Sequence, residues 1–525
     1  MGAITKLLEG CEYEVLCGDV NGEYTEFVTD SRKICEGCAF VCIKGANFDG
    51  HSAAAEAVKK GAALIVVERG IDEIEGLAEA IAAAGAKNDL ETVEASDATD
   101  RNACTAAGGG AAAIVKVAST RAAMAYMAAA YHDWPARKLN VIGITGTKGK
   151  TTTTYLIRSI LSEAGRKVGL IGTIEVIIGD EHIKANNTTP ESTLLQEYLH
   201  RMVDAGCDTV VMEVSSQGLM LHRTLGIDFT VGIFTNIEPD HIAPGEHESF
   251  EHYIQCKSLL FRQCETGIVN GDADHLDDVL KGHTCKVVTY GIDGDYDYTA
   301  SNMSLFRDGA KLGAMFDVTG KLECAAKVMM PGRFSVYNAL SAIAVCDTLG
   351  ISSEAITAAL PKGFVKGRIE PVHVSDDFTL LIDYAHNAMA LESLLVTLRE
   401  YEPGRIVCLF GCGGNRARDR RFEMGEVSGR LADYTIITSD NPRREEPLDI
   451  MKDIETGIKK TSGEYIMIEN RKEAIAYAIH NGRPGDVIVL AGKGHEDYQE
   501  INGVKYPMDE RDLIAEIMEE ATTKA

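Results

Sequence analysis

Residues 139–154 read LNVIGITGTKGKTTTT: an apolar run, a turn holding Gly143, Gly146 and Gly149, and a segment able to open a helix. Glycines let a backbone curl so that its amides point at phosphate oxygens, and a helix N-terminus adds positive potential at the same place. Lys150 then neutralises the β and γ phosphates of a nucleotide, and the Thr151 hydroxyl is offered to magnesium. Thr145, Gly146, Thr147, Lys148, Gly149, Lys150, Thr151 and Thr152 are the candidate cradle. The spacing is GxxGKT, because Ile144 occupies the place of the first glycine of the longer GxxxxGK[ST] pattern. A Gly-rich turn without a ligand is the competing reading, and the strand before it and Lys-Thr after it argue against that. The loop points to ATP or GTP without saying what the phosphate is used for.

Glu213 ends the run DTVVMEV, and a carboxylate at the C-terminal edge of a parallel strand beside a phosphate loop is where a magnesium ligand belongs. A solvated strand-end glutamate is the alternative. Asp383 follows the apolar run LLI, where it could equally cap the next helix. Cys35, Cys38 and Cys42 have C-x2-C-x3-C spacing, but a structural zinc site wants a fourth ligand, which only distant residues such as Cys11 or Cys17 could supply. Small apolar fillers are the expected role of these and the other cysteines.

The elements that must position these residues are short β-branched runs between helix-like segments, as in Asn140 to Thr145, Asp208 to Val214, Phe229 to Thr235, Arg405 to Phe410 and Asp486 to Leu490. That alternation predicts an α/β protein with parallel sheets. Two interruptions divide the chain: an Ala/Gly-rich stretch from about Gly85 to Ala113, read as an insertion or linker, and the break Leu360-Pro361-Lys362-Gly363 ahead of a new set of strands. With 525 residues the chain should form about three domains, placed at 1–118, 119–360 and 361–525.

Lys+Arg is 52 and Asp+Glu is 79, giving a net charge of −27, which argues against duplex DNA or an anionic membrane recognised through overall field. Any anionic ligand must meet local cations. With 45% hydrophobic and 25% charged residues the composition is that of an ordinary globular protein. No run approaches the ~20 apolar residues of a spanning helix, and no signal core follows Met1 to Lys6, so membrane insertion is not expected and a cytoplasmic location is.

At GITGTKGKTT the sequence resembles the Mur ligases, the ATP-dependent amide ligases that build the peptide of bacterial peptidoglycan. Other segments follow in that family's order: NTTP (Asn187 to Pro190), MEVSSQGL (Met212 to Leu219), TNIEPDH (Thr235 to His241), CKSLLF with Lys257, GRFSVYNAL (Gly332 to Leu340), DYAHN (Asp383 to Asn387), CGGNR (Cys412 to Arg416), DNPR (Asp440 to Arg443) and GKGHE (Gly492 to Glu496). TDSR (Thr29 to Arg32) and DGH (Asp49 to His51) resemble its UDP-sugar domain. No single motif is decisive, but the ordered set is highly specific. TDSR, DNPR and GKGHE are most similar to members that add the third residue of the peptide. The resemblance implies an N-terminal UDP-binding α/β domain, a central phosphate-loop ATPase domain with a parallel sheet, and a C-terminal Rossmann-like domain that brings the amino acid.

The resemblance also implies roles. His241 would join Thr151 and Glu213 as a metal ligand, and Lys257 would be carbamylated by carbon dioxide to hold a second magnesium. Asn338, Arg368, Asp383 and His386 would hold the adenine nucleotide. Ser31 and Arg32, followed by Asp49 to His51, would meet uridine and diphosphate, and Asn187, Thr188, Thr189, Ser215 and Arg223 the muramoyl-dipeptide. Arg416, Asp440, Asn441, Pro442, Arg443, Gly492 and Glu496 would form the amino-acid pocket. Arg443 can grip the second carboxylate that meso-diaminopimelate has and L-lysine lacks. Two departures stand out: Leu221 replaces a usual glutamine, and EPDHIAPGEHESFEHYIQCK lacks the usual DHLDYHG wording.

The expected activity is ligation of meso-diaminopimelate to UDP-N-acetylmuramoyl-L-Ala-D-Glu through an acyl phosphate, with ATP and Mg2+, by a chain acting as a monomer. A lysine-adding or other specialised ligase is the first alternative, with folylpolyglutamate and cyanophycin-type ligases disfavoured by the TDSR domain. A nucleotide-binding paralogue without ligase activity is the second.

Overall fold

The computed structural model describes residues 1–45, 48–88, 112–240, 242–243, 245–308 and 311–524. Most of the stretch read as an insertion lies outside the described residues. Among the described residues the larger sheets are three, each made from one continuous part of the chain.

The N-terminal sheet has five strands in the order Glu14–Cys17, Ala113–Lys116, Leu64–Val67, Ala39–Val41 and Phe27–Val28. Its last four strands run parallel and the first is an antiparallel edge. Cys38 and Cys42 are packed into the core on one face with Phe40 and Ile65, in keeping with cysteines as small apolar residues. The other face is covered by the helix Thr120–Tyr131 through Ala123, Met124 and Met127. That helix, expected to open the second domain, is therefore tied to the first, and the Glu68 carboxylate accepts from both the Thr120 N–H and hydroxyl.

The central sheet has eleven strands and is mixed rather than wholly parallel. Its parallel part runs through Val168–Ile171, Thr209–Glu213, Asn140–Thr145, Phe229–Phe234, Cys264–Asn270 and Lys286–Gly291. Antiparallel hairpins extend both ends, Glu175–Ile178 with Glu181–Lys184 and Tyr298–Asp308 with Lys311–Gly320 and Cys324–Val328. Alternating polar residues in the hairpins, such as HIK and SNMS, face solvent on one side, which only an antiparallel edge tolerates. Asn140–Thr145 sits in the middle, with Val141, Ile142 and Ile144 fully buried. Gly143 is required there, since a Cβ would stand 2.6 Å from the Phe229 ring. The helix Lys150–Glu163 packs Leu156, Ile157, Ile160 and Leu161 into the same core. Truncating Leu156 to alanine would cost about 2–5 kcal/mol.

The C-terminal sheet has the order Glu370–Val372, Thr379–Asp383, Val487–Ala491, Ile406–Phe410, Tyr434–Ile437 and Glu464–Met467, parallel but for the first pair. It is joined to the central sheet by packing: Leu312 enters its core, and the Tyr401 hydroxyl donates to Gly313 O at 2.8 Å while accepting from Gly332 N at 3.1 Å. In all three sheets the loops at the carboxyl ends of parallel strands carry the polar residues, as open α/β sheets dictate.

Candidate functional site

The phosphate loop leaves the central strand at a switch point. Asn140–Thr145 pairs on one side with Thr209–Glu213 and on the other with Phe229–Phe234, so Glu213 and Thr235 flank the loop. Gly149 takes φ 84° and Gly146 φ 150°. A Cβ at Gly146 would fall 1.9 Å from Thr235 Oγ1, and one at Gly149 would fall 2.5 Å from Asn338 Oδ1. The loop is clamped from outside: Thr235 Oγ1 donates to Lys148 O at 2.6 Å, and Asn236 Oδ1 accepts from Lys148 N at 2.9 Å. Asn338, which the resemblance placed at the adenine nucleotide, thus lies directly on the phosphate loop, and it also accepts from Thr153 Oγ1 at 3.4 Å.

Two lysines converge here. Lys150 Nζ donates to Gly146 O at 2.8 Å and Thr147 O at 3.0 Å. Lys257, only 1% exposed, donates to the same Gly146 O at 2.9 Å and lies over the Tyr253 ring at 4.5 Å. Burial drives the Lys257 pKa well below the usual lysine value; Lys150 pushes the same way and Asp240 opposes. The Lys150 pKa is lowered too, first by desolvation, against the pull of Glu213. By residue type alone Lys257 would pass for a surface lysine; the family resemblance singled it out, and the fold buries it.

Glu213 is 1% exposed and its two oxygens accept from Thr173 N at 2.8 Å and Thr173 Oγ1 at 3.0 Å. Thr173 Oγ1 stands 3.0 Å from Thr188 Oγ1, which brings NTTP to the site. Thr189 is locked internally: its hydroxyl donates to Glu213 O at 3.0 Å and accepts from Ser215 N at 2.9 Å. Ser215 Oγ caps the helix Ser216–Met220 by accepting from Gly218 N. Arg223 donates to Thr189 O at 2.9 Å and pairs with Glu191. Thr189, Ser215 and Arg223 therefore hold one another in place, while Asn187 is exposed. His241 lies outside the described residues.

The C-terminal domain supplies a second cluster. Asp383 is buried, and its oxygens accept from Ile369 N and Ala385 N, both at 2.8 Å. Burial raises its pKa, opposed by Arg368 and those two N–H groups. Asp383 does not cap the following helix Ala388–Arg399, since Asn387 does so by accepting from Ala390 N; Asp383 instead ties the backbone of Ile369 and Ala385 to its strand end. Arg368 lies over the Tyr384 ring at 4.8 Å, near enough to Lys150 to lower that lysine's pKa. His386 Nδ1 donates to Tyr384 O at 2.9 Å. The walls of the cleft desolvate its otherwise solvent-facing ring and, with Arg420 and Arg368, lower its pKa.

The carboxyl ends of Thr379–Asp383, Ile406–Phe410 and Val487–Ala491 open into a cavity of about 290 Å³. Arg416, Asp440, Asn441, Arg443, Gly492 and Glu496 all line it, and so do His386, Arg420 and Arg421. Pro442 does not; it faces a neighbouring cavity of about 650 Å³ that shares Arg443. Arg443, at φ 54°, donates from Nε to Glu500 at 3.2 Å and from Nη1 to Gly414 O at 2.7 Å. Among the described residues nothing takes its Nη2. Glu496 accepts from buried Lys493 and from Asn441 Nδ2, both at 2.9 Å. Tyr384, Thr173, Arg420 and Lys493 were not singled out from sequence; Lys493 stands inside GKGHE, where the motif itself could have flagged it.

On the N-terminal sheet, Ser31 and Arg32 form a short turn after Phe27–Val28. Arg32 is 87% exposed and grips its neighbour Asp30 through two nitrogens. His51 is buried with both nitrogens in use, Nδ1 donating to Asp49 at 2.7 Å and Nε2 accepting from Glu68 N at 3.0 Å, so it supports the loop rather than facing a ligand. Arg69, unforeseen in the sequence, pairs with Asp49 at 2.6 Å on the same edge.

No helix among the described residues is long and apolar enough to cross a membrane. Three family models match the chain: the Mur ligase family catalytic domain at residues 23–132, the Mur ligase middle domain at 144–346, and the Mur ligase glutamate ligase domain at 367–494. A UDP-N-acetylmuramoyl-L-alanyl-D-glutamate–2,6-diaminopimelate ligase of Caldanaerobacter subterraneus subsp. tengcongensis is 41% identical over 520 residues, 99% of both chains. A ligase of the same description from Clostridium acetobutylicum is 40% identical over 98% of this chain and 99% of its own. A solved structure of such a ligase superposes with a TM-score of 0.68 at 26% identity, covering 96% of this chain and 97% of the other.

Proposed function

Since this chain belongs to the Mur ligase family, we propose that it joins meso-diaminopimelate to UDP-N-acetylmuramoyl-L-Ala-D-Glu while ATP is split to ADP and phosphate. A carboxylate is a poor acyl donor because its leaving group would be oxide. Transfer of the γ-phosphoryl group to a carboxylate oxygen makes an acyl phosphate; the amine nitrogen then attacks the carbonyl carbon, the C–N bond forms, phosphate departs and the amine loses a proton. Both steps gather anions, so catalysis depends on aligned cations.

The observation that carries the amino-acid assignment is the 290 Å³ cavity, in which arginines face Asp440 and Glu496. A ligand with two ammonium groups and two carboxylates matches such mixed walls. Arg443 is oriented by Glu500 and Gly414 O, which leaves the Nη1–Nη2 end of its fork for a carboxylate. Asp440 and Glu496 suit the ammonium groups; His386 lines the same cavity, and Arg368 is near enough to Lys150 to act on its charge. Lys150, now satisfied by loop carbonyls, would turn to the phosphates.

Magnesium fits the donors present. Thr145 Oγ1 is buried at the loop without a hydrogen-bond partner among the described residues, and the Thr151 hydroxyl and Glu213 carboxylate are hard oxygens of the kind it prefers. When bound it would neutralise phosphate oxygens. Lys257 as an ammonium would repel it, and as a carbamate would hold it; burial keeps the amine nucleophilic towards carbon dioxide. His241 belongs to the same set by family resemblance. The three parts of the chain would act as UDP-binding, ATP-binding and amino-acid-binding domains, with Ser31, Arg32 and Arg69 near the UDP group, in the cytoplasm where both nucleotides are made.

The test is incubation with UDP-N-acetylmuramoyl-L-Ala-D-Glu, ATP, Mg2+ and a panel of amino acids, read by product mass. A diaminopimelate adduct that requires ATP is expected; absence of ligation with every amino acid would sink the reading.

A further inference from the structure

The segment where the sequence leaves its family's wording places an unassigned cluster beside Lys257. His252 and Cys256 are one turn apart on the helix Phe250–Ser258, so they share a face. His247 folds back over them from the preceding loop. One ligand atom from each residue lies within 4.8 Å of the others, and His247 and Cys256 are buried.

We propose that His247, His252 and Cys256 form a binding site for a zinc-class divalent transition metal, which clips the 245–249 loop to the helix carrying Lys257. Two imidazoles and a thiolate are the donors that borderline-soft cations take and that magnesium and calcium refuse. Bonds of about 2.0–2.3 Å in a tetrahedron put donor atoms roughly 3.3–3.8 Å apart, so small side-chain rotations close the present spacing. His247 Nε2 is 2.8 Å from Ser216 Oγ, the kind of outer hydrogen bond that fixes a ligating ring and turns its other nitrogen to a metal. His252 Nδ1 holds Glu248 N only at 3.4 Å, a contact readily surrendered. Three protein donors leave the fourth position to water.

The site is physically continuous with the phosphate loop. The His247 ring meets the Tyr253 ring edge-on at 5.1 Å, and Tyr253 OH lies 3.1 Å from Thr147 Oγ1. Cys256 directly precedes Lys257. A metal here orders the helix that presents both Tyr253 and Lys257, and its donors are distinct from the oxygen set at Thr151 and Glu213.

The test uses the full chain without an affinity tag, titrated with Co2+ and then Zn2+ alone under reducing conditions. One equivalent of Co2+ should give a thiolate-to-metal charge-transfer band that Zn2+ displaces, and Zn2+ should raise the thermal midpoint. Cys256→Ser should abolish the band, and His252→Ala, at a half-buried position less critical for folding, should weaken Co2+ binding at least tenfold with an unchanged circular dichroism spectrum. No band at one equivalent in the wild type, or a band of equal affinity in His252→Ala, would overturn the proposal.

Discussion

Lys150 Nζ and Lys257 Nζ donate to one atom, the carbonyl oxygen of Gly146, at 2.8 and 2.9 Å. Two ammonium groups sharing an acceptor in a buried site repel each other, and Lys257 has few other means of satisfying its charge. Carbamylation would reverse that relationship, placing an anion beside Lys150 where a cation now stands.

Lys257→Ala should therefore lower kcat by at least about a hundredfold, a loss of aligned charge in a preorganised site. A short carboxylic acid added to the assay should restore part of it, and Lys257→Arg should remain inactive. Normal turnover by the arginine variant would show that no carboxylate-like group is needed at this position.

Lys150→Ala should abolish ATP-dependent ligation, by about a hundred- to a thousandfold or more, while the thermal midpoint stays close to that of the wild type. Among the described residues the side chain's hydrogen bonds go to carbonyls of its own loop. Product formation at the wild-type rate would remove the phosphate loop from the chemistry.

Acid should loosen the GKGHE loop through His495. Its ring lies against that of Tyr384, tilted by 43° with centroids 4.8 Å apart, and burial together with Arg368, Arg511, Lys366 and Lys184 lowers its pKa to about 4. Between the ordinary histidine value of about 6.5 and that lowered value, the unfolded chain binds a proton that the folded chain does not. Stability thus falls as pH drops through this window. His495→Phe keeps an aromatic ring against Tyr384 and should flatten the fall of thermal midpoint from pH 6.5 to 4; identical slopes for the two proteins would refute it.

The phosphate loop, Glu213 and the alternation of strands and helices were legible because each rests on local chemistry: glycine at special φ, a lysine and threonine at a helix start, β-branched runs. The antiparallel ends of the central sheet were not, since strands such as Tyr298–Asp308 and Lys311–Gly320 pair through register that composition does not encode. Lys257 and Arg443 needed the ordered motifs, because burial of a lysine or the turn of an arginine fork into a cavity is settled by residues far away in sequence. His51 illustrates the reverse: its motif suggested a ligand contact, and two hydrogen bonds to Asp49 and Glu68 occupy it.

The central claim is that Arg443 reads the second carboxylate of diaminopimelate. A charge-assisted bidentate contact is worth roughly 1.5–3 kcal/mol, so Arg443→Ala should lower kcat/KM for diaminopimelate ten- to a few hundredfold and any lysine activity far less. The direct measurement is kcat/KM for both amino acids, on wild type and Arg443→Ala, at saturating ATP and UDP-dipeptide. A wild-type preference for diaminopimelate that collapses in the variant is the expected result; a wild-type preference for lysine, or an equal loss for both amino acids, would contradict the account.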